Sequence, residues 1–154
     1  MYKIGDEVKD FTLLDGDGNA HTLSSYLGKK VVIYFYPKDN TPGCTTQACE
    51  FRDNYHEIKK NNVMLFGVST DDAKSHQKFS EKYNLPFTLL TDPDGEVAYR
   101  FGAFGEKLVF GRTIMGMIRS TFIIDEEGKL EKAWPNANSK TNASEVVTYL
   151  NSLK

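Results

Sequence analysis

The sequence predicts an α/β domain in which a central mixed β-sheet is flanked by helices. An apolar run rich in β-branched and aromatic residues begins at Val31 and is stopped by Pro37, and a helical pattern follows after a turn. A second apolar run, residues 63–69, follows that helix at the distance of a crossover connection, which favours parallel pairing with the first strand. Residues 119–125 and 130–134 surround a Gly-containing turn and predict an antiparallel hairpin.

The chain before the first long strand predicts a short β-hairpin. Residues 11–14 and 20–23 have strand-like sequences. The segment between them, residues 15–19, is rich in Gly, Asp and Asn, which suit a turn. We therefore expect an N-terminal β-hairpin extension that precedes the main sheet.

The helix after the first strand has a single apolar stripe. Its members are spaced three or four residues apart: Cys44, Ala48, Phe51, Tyr55 and Ile58. This spacing predicts that the helix buries the stripe and that Cys44 lies in the first turn, on the core side.

The middle of the chain predicts a second helix, a short strand, a short helix and a long loop. Thr70 or Asp71 is expected to cap the second helix. Its inner stripe would consist of Ala73, His76, Phe79 and Tyr83. Residues 87–90 read as a strand and residues 97–101 as a short helix. Residues 102–116 are interrupted by Gly and have no clear periodicity, which predicts a long loop over one face.

The end of the chain completes the expected fold. Asn142 and Glu145 resemble a capping box at the start of a last helix with an apolar face. A parallel β-α-β half followed by an antiparallel hairpin and a helix is the layout of a thioredoxin-like domain. We therefore predict a thioredoxin-like fold formed by one domain, residues 1–154.

Composition and charge exclude little, but they give no support to several classes of partner. The 154 residues include 19 basic and 21 acidic side chains, for a net charge of −2, and contain no Lys/Arg-rich run that would suit nucleic acid or an anionic membrane. The N-terminus does not resemble a signal peptide, and no stretch approaches the ~18 apolar residues of a membrane span. We expect a cytoplasmic protein, in which two cysteines are more often reactive, metal-binding or inert than permanently bonded.

The two cysteines lie close together in the sequence, but an α-helix would hold their side chains far apart. Cys49 follows Cys44 by five residues, which places it about 140° around an α-helix and about 8.7 Å away between Cα atoms. A disulfide requires a Cα separation of roughly 4.4–6.8 Å. If the two cysteines bond to each other, the first turns of the helix must unwind.

A reactive thiol at this position would need a cation nearby. A free cysteine is only about 3 per cent thiolate at pH 7, and the thiolate is the nucleophile. Making such a thiol mostly ionised requires about 3 kcal/mol, whereas a helix N-terminus contributes about 0.3–1 kcal/mol and at most about 2. The spacing alone does not choose among the candidate cations, which are Lys38, Arg52, Arg112 and Arg119.

Two other uses of the cysteines are less compatible with the sequence. Dithiol oxidoreductases usually carry C-x-x-C, whereas four residues separate these cysteines. Zinc would need two further ligands, and none of His21, His56 and His76 forms a ligand pair with either cysteine.

Pro37, Thr41 and Cys44 stand as P-x-x-x-T-x-x-C, which resembles the signature of the peroxiredoxins. The surrounding NTPGCTTQACEFRD and the later RSTFIID are similar to the peroxiredoxin Q, or bacterioferritin comigratory protein, subfamily. The resemblance implies that Cys44 is the peroxidatic cysteine, that the Thr41 hydroxyl lies in the peroxide pocket, and that Pro37 shields the thiol. It further implies that Arg119 is the active-site cation and Cys49 the resolving cysteine.

This resemblance implies a thiol peroxidase that reduces hydrogen peroxide and alkyl hydroperoxides, with a thioredoxin-type reductant and no metal or organic cofactor. It also implies a monomer. The alternatives are a thiol-disulfide oxidoreductase and a non-catalytic redox sensor. For the peroxidase we expect a reduced form with a continuous helix through Cys49 and an oxidised form in which that helix is frayed.

Overall fold

The computed structural model describes residues 1–154 and contains nine strands and five α-helices. The strands are β1 (Thr12–Asp15), β2 (Ala20–Thr22), β3 (Lys30–Phe35), β4 (Val63–Ser69), β5 (Thr88–Thr91), β6 (Phe104–Val109), β7 (Arg112–Met117), β8 (Ser120–Ile124) and β9 (Leu130–Trp134). The helices are α1 (Pro42–Asp53), α2 (Tyr55–Lys59), α3 (Ala73–Tyr83), α4 (Glu96–Phe101) and α5 (Asn142–Ser152). None of these helices is both long and apolar enough to span a bilayer.

Seven strands form one mixed sheet in the order β2-β1-β5-β4-β3-β8-β9. β3 and β5 both pair with β4 in parallel, while β8 pairs with β3 antiparallel. The predicted mixed sheet with flanking helices is therefore confirmed. The N-terminal hairpin is also present, but β1 pairs with β5, so the hairpin joins the central sheet as its edge.

The central strand β3 divides the core into two apolar layers. Successive side chains of a strand point to opposite faces, and Val31, Ile33 and Phe35 belong to one buried cluster. Val32 and Tyr34 belong to the other, together with residues of α1, α3 and α5. Burial of one such side chain stabilises the fold by about 1.5–3 kcal/mol. Because Cys44 is part of the second layer, packing of α1 against the sheet fixes its position.

The prediction of a long loop over residues 102–116 is wrong, since β6 and β7 form an antiparallel ribbon there. The connection uses Phe110 and Gly111, with φ angles of +49° and +77°. Two consecutive left-handed residues are typical of a type I′ turn, which usually carries Asn-Gly. Phe at the first position removes that signal, and a ribbon outside the main sheet lacks the apolar alternation of a buried strand.

The predicted helix from Cys44 to Ile58 is interrupted at Asn54, which separates α1 from α2. The Asn54 side chain donates a hydrogen bond of 2.8 Å to the Glu50 carbonyl oxygen. Such bonds between a side chain and the backbone compete with helix continuation. Cys44 and Ile58 are nevertheless both buried, as the stripe predicts.

Two predicted helix caps are wrong. The residue that caps α3 is Asp72, whose carboxylate accepts from the Ser75 amide at 2.9 Å, rather than Thr70 or Asp71. At α5 the N-cap is Thr141, and Asn142 lies inside the first turn and is fully buried.

Candidate active site

Cys44 lies in the first turn of α1, where the chain turns back over the end of β3. The thiol is 2 % exposed, and Pro42 occupies the first helical position, where its missing N–H costs nothing. The amides of Gly43 and Cys44 have no intrahelical acceptor, because the carbonyls four residues earlier lie outside the helix. The sulfur therefore sits beside unpaired N–H groups and the positive end of the helix dipole.

Arg119 contacts Cys44 directly. Its Nη2 donates to Cys44 Sγ at 3.4 Å. β8 runs antiparallel to β3, and the pairing of Ser120 with Phe35 brings Arg119 to the end of β3, where α1 begins. Sheet register thus joins two residues that are 75 positions apart in the chain.

The other candidate cations make no hydrogen bond with Cys44. The Arg52 guanidinium donates to Asp53 and to the Tyr83 carbonyl oxygen. Lys38 and Arg112 are exposed.

The absence of a side chain at Gly43 allows the Arg119 guanidinium to pack against α1. A Cβ atom at Gly43 would lie 3.0 Å from Arg119 Nη2, which is closer than ordinary contacts. No local sequence pattern indicates this contact, because Arg119 is distant from Gly43 in the chain.

A chain of buried hydrogen bonds that was not predicted from the sequence continues from Arg119 into α5. Arg119 Nη1 donates to Gln47 Oε1 at 2.7 Å, and Gln47 Nε2 donates to Asn142 Oδ1 at 3.3 Å. Thr121 Oγ1 donates to the same Asn142 oxygen at 2.6 Å. The sequence did contain one signal of this chain of hydrogen bonds. Gln47 follows Cys44 by three residues and is a polar residue on the otherwise apolar, inward face of the helix.

Thr41 and Pro37 lie in the turn between β3 and α1. Thr41 is the N-cap residue of α1, but its hydroxyl makes no capping bond and donates instead to the Lys38 carbonyl oxygen at 2.8 Å. The Thr41 oxygen therefore keeps its lone pairs as acceptors. Pro37 is half-buried directly after Tyr36.

Asp39 anchors this turn from inside the protein. Its buried carboxylate accepts hydrogen bonds from Tyr36 Oη at 2.5 Å and Ser75 Oγ at 2.8 Å, and it is hydrogen-bonded to His76 Nδ1 at 2.8 Å. His76 is also buried, and its Nε2 donates to the Leu90 carbonyl oxygen at 3.0 Å. Each polar atom of the Asp39–His76 pair has a partner, so the pair ties the turn before Cys44 to α3.

Replacing His76 with leucine is expected to lower the free energy of unfolding by about 3–5 kcal/mol, because Asp39 would then be a buried carboxylate without its imidazole partner. Urea unfolding measures this loss. The matched control is Lys78→Ala, an exposed substitution on the same helix, which should change the free energy by no more than about 0.5 kcal/mol. A loss of less than about 1 kcal/mol for His76→Leu would contradict the anchoring role.

Tyr34 is a buried aromatic residue in the same apolar cluster as Cys44. Its ring stacks on Phe51 with a centroid distance of 4.6 Å and lies directly over Gly67, where a Cβ atom would come within 2.8 Å of it. The hydroxyl is buried without a hydrogen-bond partner. Burial, and then the negative charge of Cys44, raise the pKa of Tyr34 well above its usual range, so the ring stays neutral.

Lys107 is a second cation within electrostatic reach of Cys44. Its ammonium group donates to the Met117 carbonyl oxygen at 2.6 Å. Burial lowers the pKa of Lys107, while the charge of Cys44 acts in the opposite direction. Lys107 was not among the predicted cations, because it belongs to the ribbon that was predicted as a loop.

Cys49 is half-buried on α1, and both cysteines are free thiols. α1 is continuous from Pro42 to Asp53, as expected for the reduced form. The structure brings no group of three or more His, Cys, Asp and Glu side chains together in an arrangement that could hold a metal ion.

The chain matches a known protein family and several curated proteins over most of its length. The AhpC/TSA family model matches residues 4–133. A putative peroxiredoxin bcp of Coxiella burnetii is 45% identical over 145 residues, which cover 94% of this chain and 96% of that protein. Peroxiredoxin Bcp of Bacillus subtilis is 44% identical over 148 residues, which cover 96% and 94% of the two chains.

Solved structures agree in the fold. A mutant of PrxQ from Xylella fastidiosa superposes with a TM-score of 0.93 at 32% identity, covering 99% of this chain and 98% of that one. The bacterioferritin comigratory protein of Xanthomonas campestris superposes with a TM-score of 0.87 at 36% identity, covering 93% and 91%. The predicted thioredoxin-like fold is confirmed, and the chain belongs to the AhpC/TSA family, among its relatives of the peroxiredoxin Q or bacterioferritin comigratory protein type.

Proposed function

We propose that this protein is a thiol-dependent peroxidase that reduces hydrogen peroxide and organic hydroperoxides at Cys44. The observation that carries the proposal is the contact of 3.4 Å between Arg119 Nη2 and a Cys44 sulfur at the start of α1. A cation and unpaired helix N–H groups converge there on a thiol, the arrangement that makes a cysteine nucleophilic.

In the first step the Cys44 thiolate attacks one oxygen of the peroxide. A sulfur–oxygen bond forms, the O–O bond breaks, and the leaving oxygen takes up a proton to depart as water or an alcohol. Cys44 is thereby oxidised to a sulfenic acid. Negative charge moves from sulfur to the leaving oxygen, and the N–H groups of Gly43 and Cys44 and the Arg119 guanidinium stabilise it at both ends.

Thr41 and Pro37 complete the proposed peroxide pocket. The Thr41 hydroxyl hydrogen is directed to the Lys38 carbonyl oxygen, so Thr41 Oγ1 acts as the acceptor for the O–H of the bound hydroperoxide. Pro37 has no N–H and limits the access of water to the thiol from the side of the turn.

Cys49 then resolves the sulfenic acid. Its thiolate attacks the Cys44 sulfur, a disulfide bond forms, the sulfur–oxygen bond breaks, and the hydroxyl group leaves as water after protonation. An intact helix holds the two Cα atoms about 8.7 Å apart, so α1 unwinds before the bond closes. A thioredoxin-type reductant reduces the disulfide and restores both thiols.

The remaining parts of the proposal concern the substrates, the oligomeric state and the cellular compartment. The solved structure of the Xanthomonas campestris relative was described in terms of its alkyl peroxide reduction activity, which supports organic hydroperoxides as substrates here. Both cysteines lie in one helix of one chain, so the cycle needs no second subunit, and we propose a monomer that works as a single domain. Two free thiols suit the reducing cytoplasm.

Replacing Arg119 with methionine is expected to slow the reaction with peroxide by about 10²–10³-fold, the usual cost of removing one preorganised donor from a developing charge. The second-order rate constant measured by stopped flow reports this loss. The control is Arg112→Met, which removes an exposed guanidinium from β7 and should leave the rate unchanged. Equal rates for the two variants would contradict the role of Arg119.

The function is tested by comparing the second-order rate of the reduced protein with hydrogen peroxide and with a small disulfide. A peroxidase reacts much faster with the peroxide. Faster reaction with the disulfide would indicate a thiol-disulfide oxidoreductase instead. Rapid oxidation by peroxide without renewed consumption in the presence of a thioredoxin-type reductant would indicate a redox sensor.

A further inference from the structure

Asn142 is a fully buried polar residue in the first turn of α5. Its Oδ1 accepts hydrogen bonds from Thr121 Oγ1 at 2.6 Å and from Gln47 Nε2 at 3.3 Å, and its Nδ2 has no partner. A buried donor without a partner destabilises the fold, and an apolar side chain of similar shape would avoid that cost. Packing alone therefore does not explain asparagine at this position.

The hydrogen bonds between α5 and Cys44 have a fixed direction. The Arg119 guanidinium only donates, so Gln47 must turn its carbonyl oxygen toward Arg119 Nη1, at 2.7 Å. The Gln47 amide nitrogen then faces Asn142 and requires an acceptor there. The Thr121 hydroxyl hydrogen and the Gln47 amide meet at the Asn142 oxygen, which satisfies both.

We propose that Asn142 is a positioning residue for the reaction at Cys44, although it touches neither the thiol nor the substrate. It holds the Gln47 amide in the one orientation that accepts from Arg119, and Arg119 Nη2 in turn lies 3.4 Å from Cys44 Sγ. The C-terminal helix thereby sets the position of the Arg119 guanidinium through the Gln47 side chain. This inference rests on the proposed function, because it assigns Asn142 a role in activating the same thiol.

The test measures Cys44 without using peroxide. In a Cys49→Ser background Cys44 is the only thiol, and its alkylation by iodoacetamide across a range of pH reports its thiolate. Asn142→Leu should slow alkylation at neutral pH by about three- to tenfold, the usual effect of one internal hydrogen bond. It should also move the midpoint of the alkylation rate to higher pH. Unchanged alkylation in a folded Asn142→Leu protein would overturn the proposal.

A matched control separates positioning from packing. Val146 lies one turn further along α5 and is also fully buried. Val146→Ala leaves a cavity without touching the polar chain, so it should lower the free energy of unfolding while the alkylation profile stays that of the parent protein. If Val146→Ala shifts the profile as much as Asn142→Leu does, the effect is one of packing and the proposal fails.

A double-mutant cycle with Gln47→Glu tests the mechanism. A carboxylate presents an acceptor oxygen in either orientation, so Glu at this position needs no Asn142 to direct it toward Arg119. Asn142→Leu should then change the alkylation rate by less than about twofold in the Gln47→Glu background. If Asn142→Leu lowers the alkylation rate equally with Gln47 and with Gln47→Glu, the positioning role is overturned.

If Asn142→Leu does not fold, Thr121→Val provides the same test from β8. It removes the hydroxyl that donates to the Asn142 oxygen. We expect the midpoint of alkylation to move to higher pH, by less than in Asn142→Leu. No shift would count against the proposal. Because alkylation does not involve peroxide, a protein without peroxidase activity would disprove the proposed function while this measurement remained decisive for Asn142.

Discussion

Cys44→Ser is expected to abolish peroxide consumption, leaving only the uncatalysed rate. A serine hydroxyl is scarcely ionised at neutral pH, so neither Arg119 nor the helix N-terminus can make it a nucleophile comparable to a thiolate. The substitution is nearly isosteric, and the buried site in the first turn of α1 keeps its shape. Peroxide consumption with excess thiol reductant measures the outcome.

The fold of this variant must be compared with that of the parent protein, because loss of activity through unfolding would prove nothing about the thiol. Matching urea midpoints would establish that the site is intact. Thr45→Ser, one residue further along α1, is a control for changing a side chain in the same turn and should retain full turnover. Peroxide consumption by Cys44→Ser at more than a trace of the parent rate would eliminate Cys44 as the reacting group.

Cys49→Ser is expected to consume one equivalent of peroxide and then stop turning over with a thioredoxin-type reductant. The first step requires only Cys44 and its surroundings, whereas disulfide closure requires the second thiol of the chain. A quench experiment that counts peroxide consumed per protein separates the two steps. A reagent specific for sulfenic acids should label Cys44 in this variant and not in the parent protein after reaction.

Full turnover by Cys49→Ser with the thioredoxin-type reductant would show that an external thiol resolves the sulfenic acid. Failure to consume even the first equivalent would mean that Cys49 contributes to peroxide attack itself. Glu50→Ser, a substitution of the neighbouring helix residue, should behave like the parent protein and so excludes a general effect on α1.

The proposed activation of Cys44 and its proposed resolution by Cys49 require different conformations of α1. The turns of α1 that present unpaired N–H groups to Cys44 also keep Cys49 away from it. We therefore expect closure of the proposed disulfide to break the contact of Gln47 with Arg119, since Gln47 lies between the two cysteines. An oxidised structure that retained both the disulfide and an intact α1 would contradict this geometry.

The sequence by itself determined the parts of the molecule that depend on local patterns. Apolar periodicity and turn residues placed β3, α1 and β4 and put Cys44 in the first turn of a helix. Where a local signal was absent or ambiguous, the prediction failed. The β6–β7 ribbon was missed because Phe110 occupies a left-handed turn position that normally shows Asn or Gly.

Only the tertiary structure decided which side chains meet at the thiol. Spacing left four cations open beside Cys44, and the antiparallel register of β8 against β3 brings Arg119 to it. The same holds for Asn142, which looked like a helix cap and instead lies inside the protein against Gln47. Periodicity records which face of an element is buried, but contacts between distant segments depend on strand order and register, which no local pattern contains.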